Sequence, residues 1–281
     1  MYYQDIIFLT NWLGNTPCSI AAIIAIGFVS GILSSFLGIG GGFIFTPFFH
    51  AILRLPAIEA VATSMAHIPL TMSSATIRYA RFIDYKYSIL ILAGALPSVH
   101  ATAYYWNLFN ESRISQIIIF HYTNLADIIT AGLFTLLLTI QLLLPADKLF
   151  KNENKSIKIR NKPLILVCTG IIMGIFSALL GIGGGFIIVP VLVYVLDTES
   201  LHATATSVFS ILITSIIASV QYIHLNQVHL LLSLLAGTGG VAGAQLGSRL
   251  AIRVPKEKHK IYLRVFHLTI LVFYLTLRIL F

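Results

Sequence analysis

Apolar residues dominate this chain in blocks of roughly 20, the length a helix needs to cross a bilayer, with short polar stretches between them. The first block covers 18–55 and is interrupted by Gly38-Ile39-Gly40-Gly41-Gly42. Further blocks follow at about 57–79, 87–109 and 114–144. A polar stretch, 145–162, comes next, and then the pattern restarts. The block 163–196 is interrupted by Gly181-Ile182-Gly183-Gly184-Gly185, and blocks near 200–223, 228–250 and 261–281 complete the chain. The pattern predicts an all-α polytopic membrane protein.

The restart is a repeat. GILSSFLGIGGGFIFTPFF at 31–49 matches GIFSALLGIGGGFIIVPVL at 174–192, at an offset of 143 without a gap. The same offset sets Ala60-Val61-Ala62-Thr63-Ser64 on Ala203-Thr204-Ala205-Thr206-Ser207, Thr71 on Thr214, Tyr79 on Tyr222 and Gly94 on Gly237. Internal repetition of this length marks duplication. It divides the chain into a first membrane repeat (1–144), a linker (145–162) and a second membrane repeat (163–281).

Composition agrees. Of 281 residues, 57% are hydrophobic and only 10% charged, against about 25% charged in soluble domains. Mean hydropathy is +0.90. The net charge of +8 sits in short runs between apolar blocks, which points to membrane topology rather than nucleic acid. Cys18 and Cys168 lie inside apolar blocks and read as buried small side chains, not a disulfide. The first 17 residues carry no Lys or Arg, so no cleaved targeting segment is expected.

Equivalent loops differ in charge. Arg78, Arg81 and Lys86 flank one loop, whereas its counterpart near 221–229 has Gln221, His224, Asn226 and His229. The loop near 110–113 has Glu111 and Arg113, whereas its counterpart near 249–264 is strongly basic. The linker holds Lys148, Lys151, Lys155, Lys158, Arg160 and Lys162. Basic loops stay cytoplasmic, so the two repeats are expected to be inverted. Each would be a glycine-broken re-entrant helix hairpin plus about three transmembrane helices, with both termini outside. The protein would be a multi-pass protein of the cell inner membrane, its central basic loop cytoplasmic. The competing arrangement, every block a simple crossing, gives parallel repeats.

The glycine runs carry the candidate chemistry. Each glycine costs roughly 1 kcal/mol in a helix relative to alanine, so Gly38, Gly40, Gly41 and Gly42, and likewise Gly181, Gly183, Gly184 and Gly185, should break it. A break within hydrocarbon is tolerated only when buried in protein or facing a watery cavity. Helices restarting at Phe43–Leu53 and Phe186–Leu196 would present free amides and a partial positive charge. Such ends attract an anion without basic side chains. Close helix packing is the alternative use of these glycines.

The doubled GxxSxxLGIGGGFxxxP, the AxATS strings and Gly237-Thr238-Gly239-Gly240-Val241-Ala242-Gly243-Ala244-Gln245-Leu246-Gly247 resemble the sulfite exporter TauE/SafE family of membrane transporters, over nearly the whole chain. The resemblance implies an inverted-repeat protein that moves sulfite, sulfonates or related small organic anions. The first half departs from it by placing Pro97, His100 and Ala101 where the second has Gly240, Gly243 and Ala244.

Other residues join the candidate substrate site. Thr63, Ser64, Thr206 and Ser207 could bond an oxyanion, or neighbouring helices, or their own backbone. Ser34 and Ser177, one turn before each break, could donate to substrate or cap exposed carbonyls. His67, on the face of Thr63, and Asp127, the only acid within 114–144, are candidates for proton coupling, or simply buried polar groups. Glu59 reads as first-turn capping chemistry.

No metal-ligand spacing or catalytic grouping stands out, and no cofactor, metal or nucleic acid is expected. The partners implied are a small anionic solute and the lipid bilayer, with a homo-oligomer compatible. The favoured function is a secondary transporter. A non-transporting membrane-embedded partner or assembly factor is the rival, and an enzyme is not expected.

Overall fold

The computed structural model describes residues 16–112, 118–120, 123–143 and 161–253. The elements are α1 (Thr16–Leu37), α2 (Gly42–Pro47) with a π-helical turn (Phe48–Ile52), α3 (Ala57–Tyr79), α4 (Tyr85–Glu111), strands β1 (Ile118–Phe120) and β2 (Thr123–Asn124), and α5 (Leu125–Leu143). The second half gives α6 (Lys162–Leu180), α7 (Gly185–Pro190) with its π-helical turn (Val191–Val195), α8 (Ser200–His224) and α9 (Leu230–Arg253). Elements recur at the repeat offset: α2 with α7, α3 with α8, and even the two π-helical turns. Each of those turns follows a proline, Pro47 or Pro190, which cannot donate the next intrahelical bond.

Among the described residues, five helices are long and apolar enough to cross a membrane: Pro17–Leu37, Tyr85–Glu111, Lys162–Leu180, Ser200–His224 and Leu230–Arg253. Large apolar side chains face outward, among them Ile77 and Ile89, as hydrocarbon rather than water would allow. Helix α3 has the length of a span but carries Thr63, Ser64, His67, Thr71, Ser73, Ser74 and Thr76. Most of it is buried by neighbouring helices, so its solvent is protein. The chain is a multi-pass membrane protein.

Two expectations shift. The block 114–144 is not one helix: β1 and β2 pair antiparallel before α5 begins. Cys18 and Cys168 are exposed, not buried, because they lie on the outward faces of α1 and α6. The linker up to residue 160 and the block 261–281 lie outside the described residues, while Asn161 and Lys162 lead into α6.

Registers fix how the helices run. A side chain on Gly27 would strike the carbonyl of Ala236, on Gly31 that of Gly240, and on Gly247 that of Ile32, so α1 and α9 rise together in close contact. Likewise α4 and α6 run parallel, with Gly94 against Val167 and Gly174 against Ser98. Glu59–His229, Ser74–Val241 and Arg78–Gln245 align α3 parallel to α9. Tyr85–Phe209 at the start and Asn107–Gln227 at the end align α4 with α8. The central pair is antiparallel: Ser219 donates to Met65 O, while Phe82, just past α3, meets His202 near the start of α8. Helix α2 runs back along α3, with Phe45 on His67 and Leu53 in one apolar cluster with Ile23, near the start of α1.

Candidate functional site

Both breaks turn through left-handed backbone. Gly38, Gly40, Gly181, Gly183 and Gly184 have φ between 68° and 94°, a region that side chains strain to enter. Each first helix closes by local bonds: Gly38 N–H donates to Ser34 O at 2.9 Å and Gly181 N–H to Ser177 O at 2.8 Å. The chain restarts as helix at Gly42 and at Gly185.

The two breaks lie directly against each other. A side chain at Gly42 would strike Gly181 O, one at Gly185 would strike Gly38 O, and one at Gly40 would come within 2.6 Å of Ile182 O. The carbonyls freed by the breaks are taken up by the opposite half or by a deep tyrosine. Ser64 donates to Gly181 O at 3.1 Å, and its repeat partner Ser207 donates to Gly38 O at 2.7 Å. Tyr79 donates to Ser35 O at 2.9 Å, and Tyr222 to Ala178 O at 2.7 Å. An unsatisfied buried carbonyl would cost about 1–3 kcal/mol, which is why this broken backbone can stay inside the bundle.

The eight glycines and the two serines Ser64 and Ser207 are therefore brought together. Thr63 and Thr206 are not: Thr63 Oγ1 accepts from His229 N–H at the start of α9, and Thr206 Oγ1 accepts from Asp84 N–H at the start of α4. Ser34 donates within its own helix to Gly31 O, and Ser177 meets Met65 Sδ at 3.7 Å, so neither hydroxyl caps the break. Asp127 sits at the start of α3, its carboxylate accepting from Ala57 N–H at 2.8 Å. Glu59 reaches across to His229 at 2.9 Å. His100 is exposed on α4.

His67 does lie at the centre. Its ring is buried on Phe45, centroids 4.3 Å apart, and a side chain at Gly41 would come within 2.7 Å of its Nε2. Both ring nitrogens lack a partner. Two more residues with buried, unpartnered hydroxyls flank the breaks: Thr46, whose hydroxyl lies beside Gly181, and Thr204, whose methyl and backbone lie against Gly38. Sequence reasoning passed over Thr46 and Thr204, because at the repeat offset they fall on Val189 and Val61 and carry no duplicated signal. The second half is drier at the matching place: Gly184 rests on Met173 where Gly41 accepts from Ser30. Ser210, the partner of His67, turns back to Thr206 O.

Paired glycine breaks in a duplicated membrane bundle fit the profile described as sulfite exporter TauE/SafE, which matches residues 23–275. The chain belongs to the sulfite exporter TauE/SafE family. Relatives carry transporter names. The "probable membrane transporter protein YunE" of Bacillus subtilis is 26% identical over 253 residues, covering 82% of this chain and 88% of the relative. A "probable membrane transporter protein" of Methanocaldococcus jannaschii is 29% identical over 214 residues, covering 73% and 72%. No solved structure matches the chain. As a TauE/SafE member the protein is a membrane transporter and not an enzyme.

Proposed function

We propose that this TauE/SafE protein is a secondary transporter for a small anion, such as sulfite, an organosulfonate or a related organic acid, held between the two glycine breaks. The observation that carries the reading is the direct apposition of two helix starts, at Gly42 and Gly185, across the carbonyls of Gly181 and Gly38. Helix starts leave amides without partners in the preceding turn and attract negative charge. In the conformation described the breaks touch, so a solute needs them to part. The bonds Ser64–Gly181 and Ser207–Gly38 are then the contacts exchanged as the halves rock.

The same reading places the repeats inverted in the membrane. Helices α1, α3 and α9 run one way by their registers, α4, α6 and α8 run together, and α3 opposes α8. Helix α1 therefore opposes α6, its own repeat. The α2 segment descends beside α3, which gives the re-entrant hairpin. On this reading the described basic groups share one face: Arg78, Arg81 and Lys86 between α3 and α4, Lys162 at the start of α6, and Arg249 and Arg253 at the end of α9. The loop after α8, with His224 and Asn226 but no Lys or Arg, falls on the other. Positive charge on the cytoplasmic side supports an inner-membrane protein with a cytoplasmic linker.

Purified protein in liposomes tests the function. Saturable uptake of sulfite or a sulfonate, competed by related anions, is expected. A panel of small oxyanions and carboxylates that crosses no faster than in empty liposomes would sink it.

A further inference from the structure

A small part-open crevice lies between the α2 segment and α5, lined by Thr46, Pro47, His50, Ala57, Thr130 and Phe134. It adjoins a glycine break, because Thr46 also borders Gly181. Thr46 and Thr130 are 3% and 4% exposed, and their buried hydroxyls have no partner. Two buried, unsatisfied hydroxyls beside free space call for an occupant, water or a solute. His50 is at the partly buried rim, where Nδ1 donates to Leu55 O at 3.0 Å. A carbonyl only accepts, so this bond puts the proton on Nδ1. The polar residues of the α2 segment are not duplicated: Thr46 falls on Val189 and His50 on Val193.

We propose that solute enters along this crevice, which widens as the breaks part, and that Thr46 and Thr130 are its first polar contacts. Ala57 starts α3, so the crevice belongs to the membrane face opposite the Arg78–Lys86 loop. The ligand is the small oxyanion of the transport reading, to which each hydroxyl can donate one hydrogen bond. The inference rests on the transport reading above. It adds a side of access and two residues outside the duplicated motif.

Cysteine labelling of the full chain tests the route without depending on the substrate. In a Cys18→Ala, Cys168→Ala background, a charged membrane-impermeant methanethiosulfonate is applied to the face opposite the basic loops. Thr46→Cys and Thr130→Cys should be modified and Val189→Cys should not. Failure to modify either, or equal modification of Val189→Cys, overturns the proposal. In liposomes, Thr46→Val, which installs the residue the second half already carries, should raise KM for sulfite about tenfold, as expected for one lost hydrogen bond to an anion. An unchanged KM would mean that the crevice holds water only, which also overturns it. If the unmodified protein moves no anion, the transport reading fails while the labelling still decides whether this face is open.

Discussion

Ser207 on α8 donates to Gly38 O at 2.7 Å, the carbonyl that the end of α1 leaves without a helical partner. Ser64 makes the same bond to Gly181 O from the other half. Each repeat thus closes the other's broken helix. Replacing Ser207 by alanine should destabilise the protein by about 1–3 kcal/mol, since a buried acceptor is left bare. Ser210→Ala should cost much less, because that hydroxyl only returns to its own helix at Thr206 O. Thermal unfolding in detergent compares the two, and equal effects would argue against a special role for the bond across the halves.

Tyr79→Phe and Tyr222→Phe remove one hydroxyl each and keep the ring. Both rings are fully buried, and their hydroxyls hold Ser35 O and Ala178 O. Each substitution should lower stability by about 1–3 kcal/mol. The double variant should come close to the sum of the two if the ends of α1 and α6 close independently.

Gly42→Ala and Gly185→Ala put a methyl group where the opposite break already has a carbonyl oxygen. Transport in liposomes should be abolished or nearly so, by forcing apart the contact that defines this conformation. Gly132→Ala, where nothing lies within 4 Å, is the control and should leave flux unchanged. Flux retained in both Gly42→Ala and Gly185→Ala would count against the breaks as the moving contact.

Asp127 can be a cap or a proton carrier, and two substitutions separate these roles. Its oxygen accepts from Ala57 N–H at the start of α3. Asp127→Asn keeps an acceptor oxygen and should stay close to the parent in stability. Asp127→Ala should lose about 0.5–2 kcal/mol, the range for lost helix caps. For a capping residue, transport driven by a pH gradient survives Asp127→Asn. Loss of the gradient's effect with stability intact would reveal a proton carrier instead.

Much of this protein was legible without coordinates because the bilayer imposes length and polarity on each segment. The apolar blocks, the 143-residue offset and the two glycine runs were all in the residue order, and the breaks occur at Gly38–Gly41 and Gly181–Gly184 because so many glycines together cannot hold a helix. What the glycines touch was not legible. Only the tertiary structure decided that Ser64 and Ser207 face the opposite break while Thr63 and Thr206, one residue earlier, cap the starts of distant helices. Adjacent residues on a helix point about 100° apart, so their roles depend on which neighbour stands on each side. The same limit hid Thr46 and Thr204. A repeat reveals what both halves share, whereas a polar group present in one half is visible only once folding sets it against the other half's backbone.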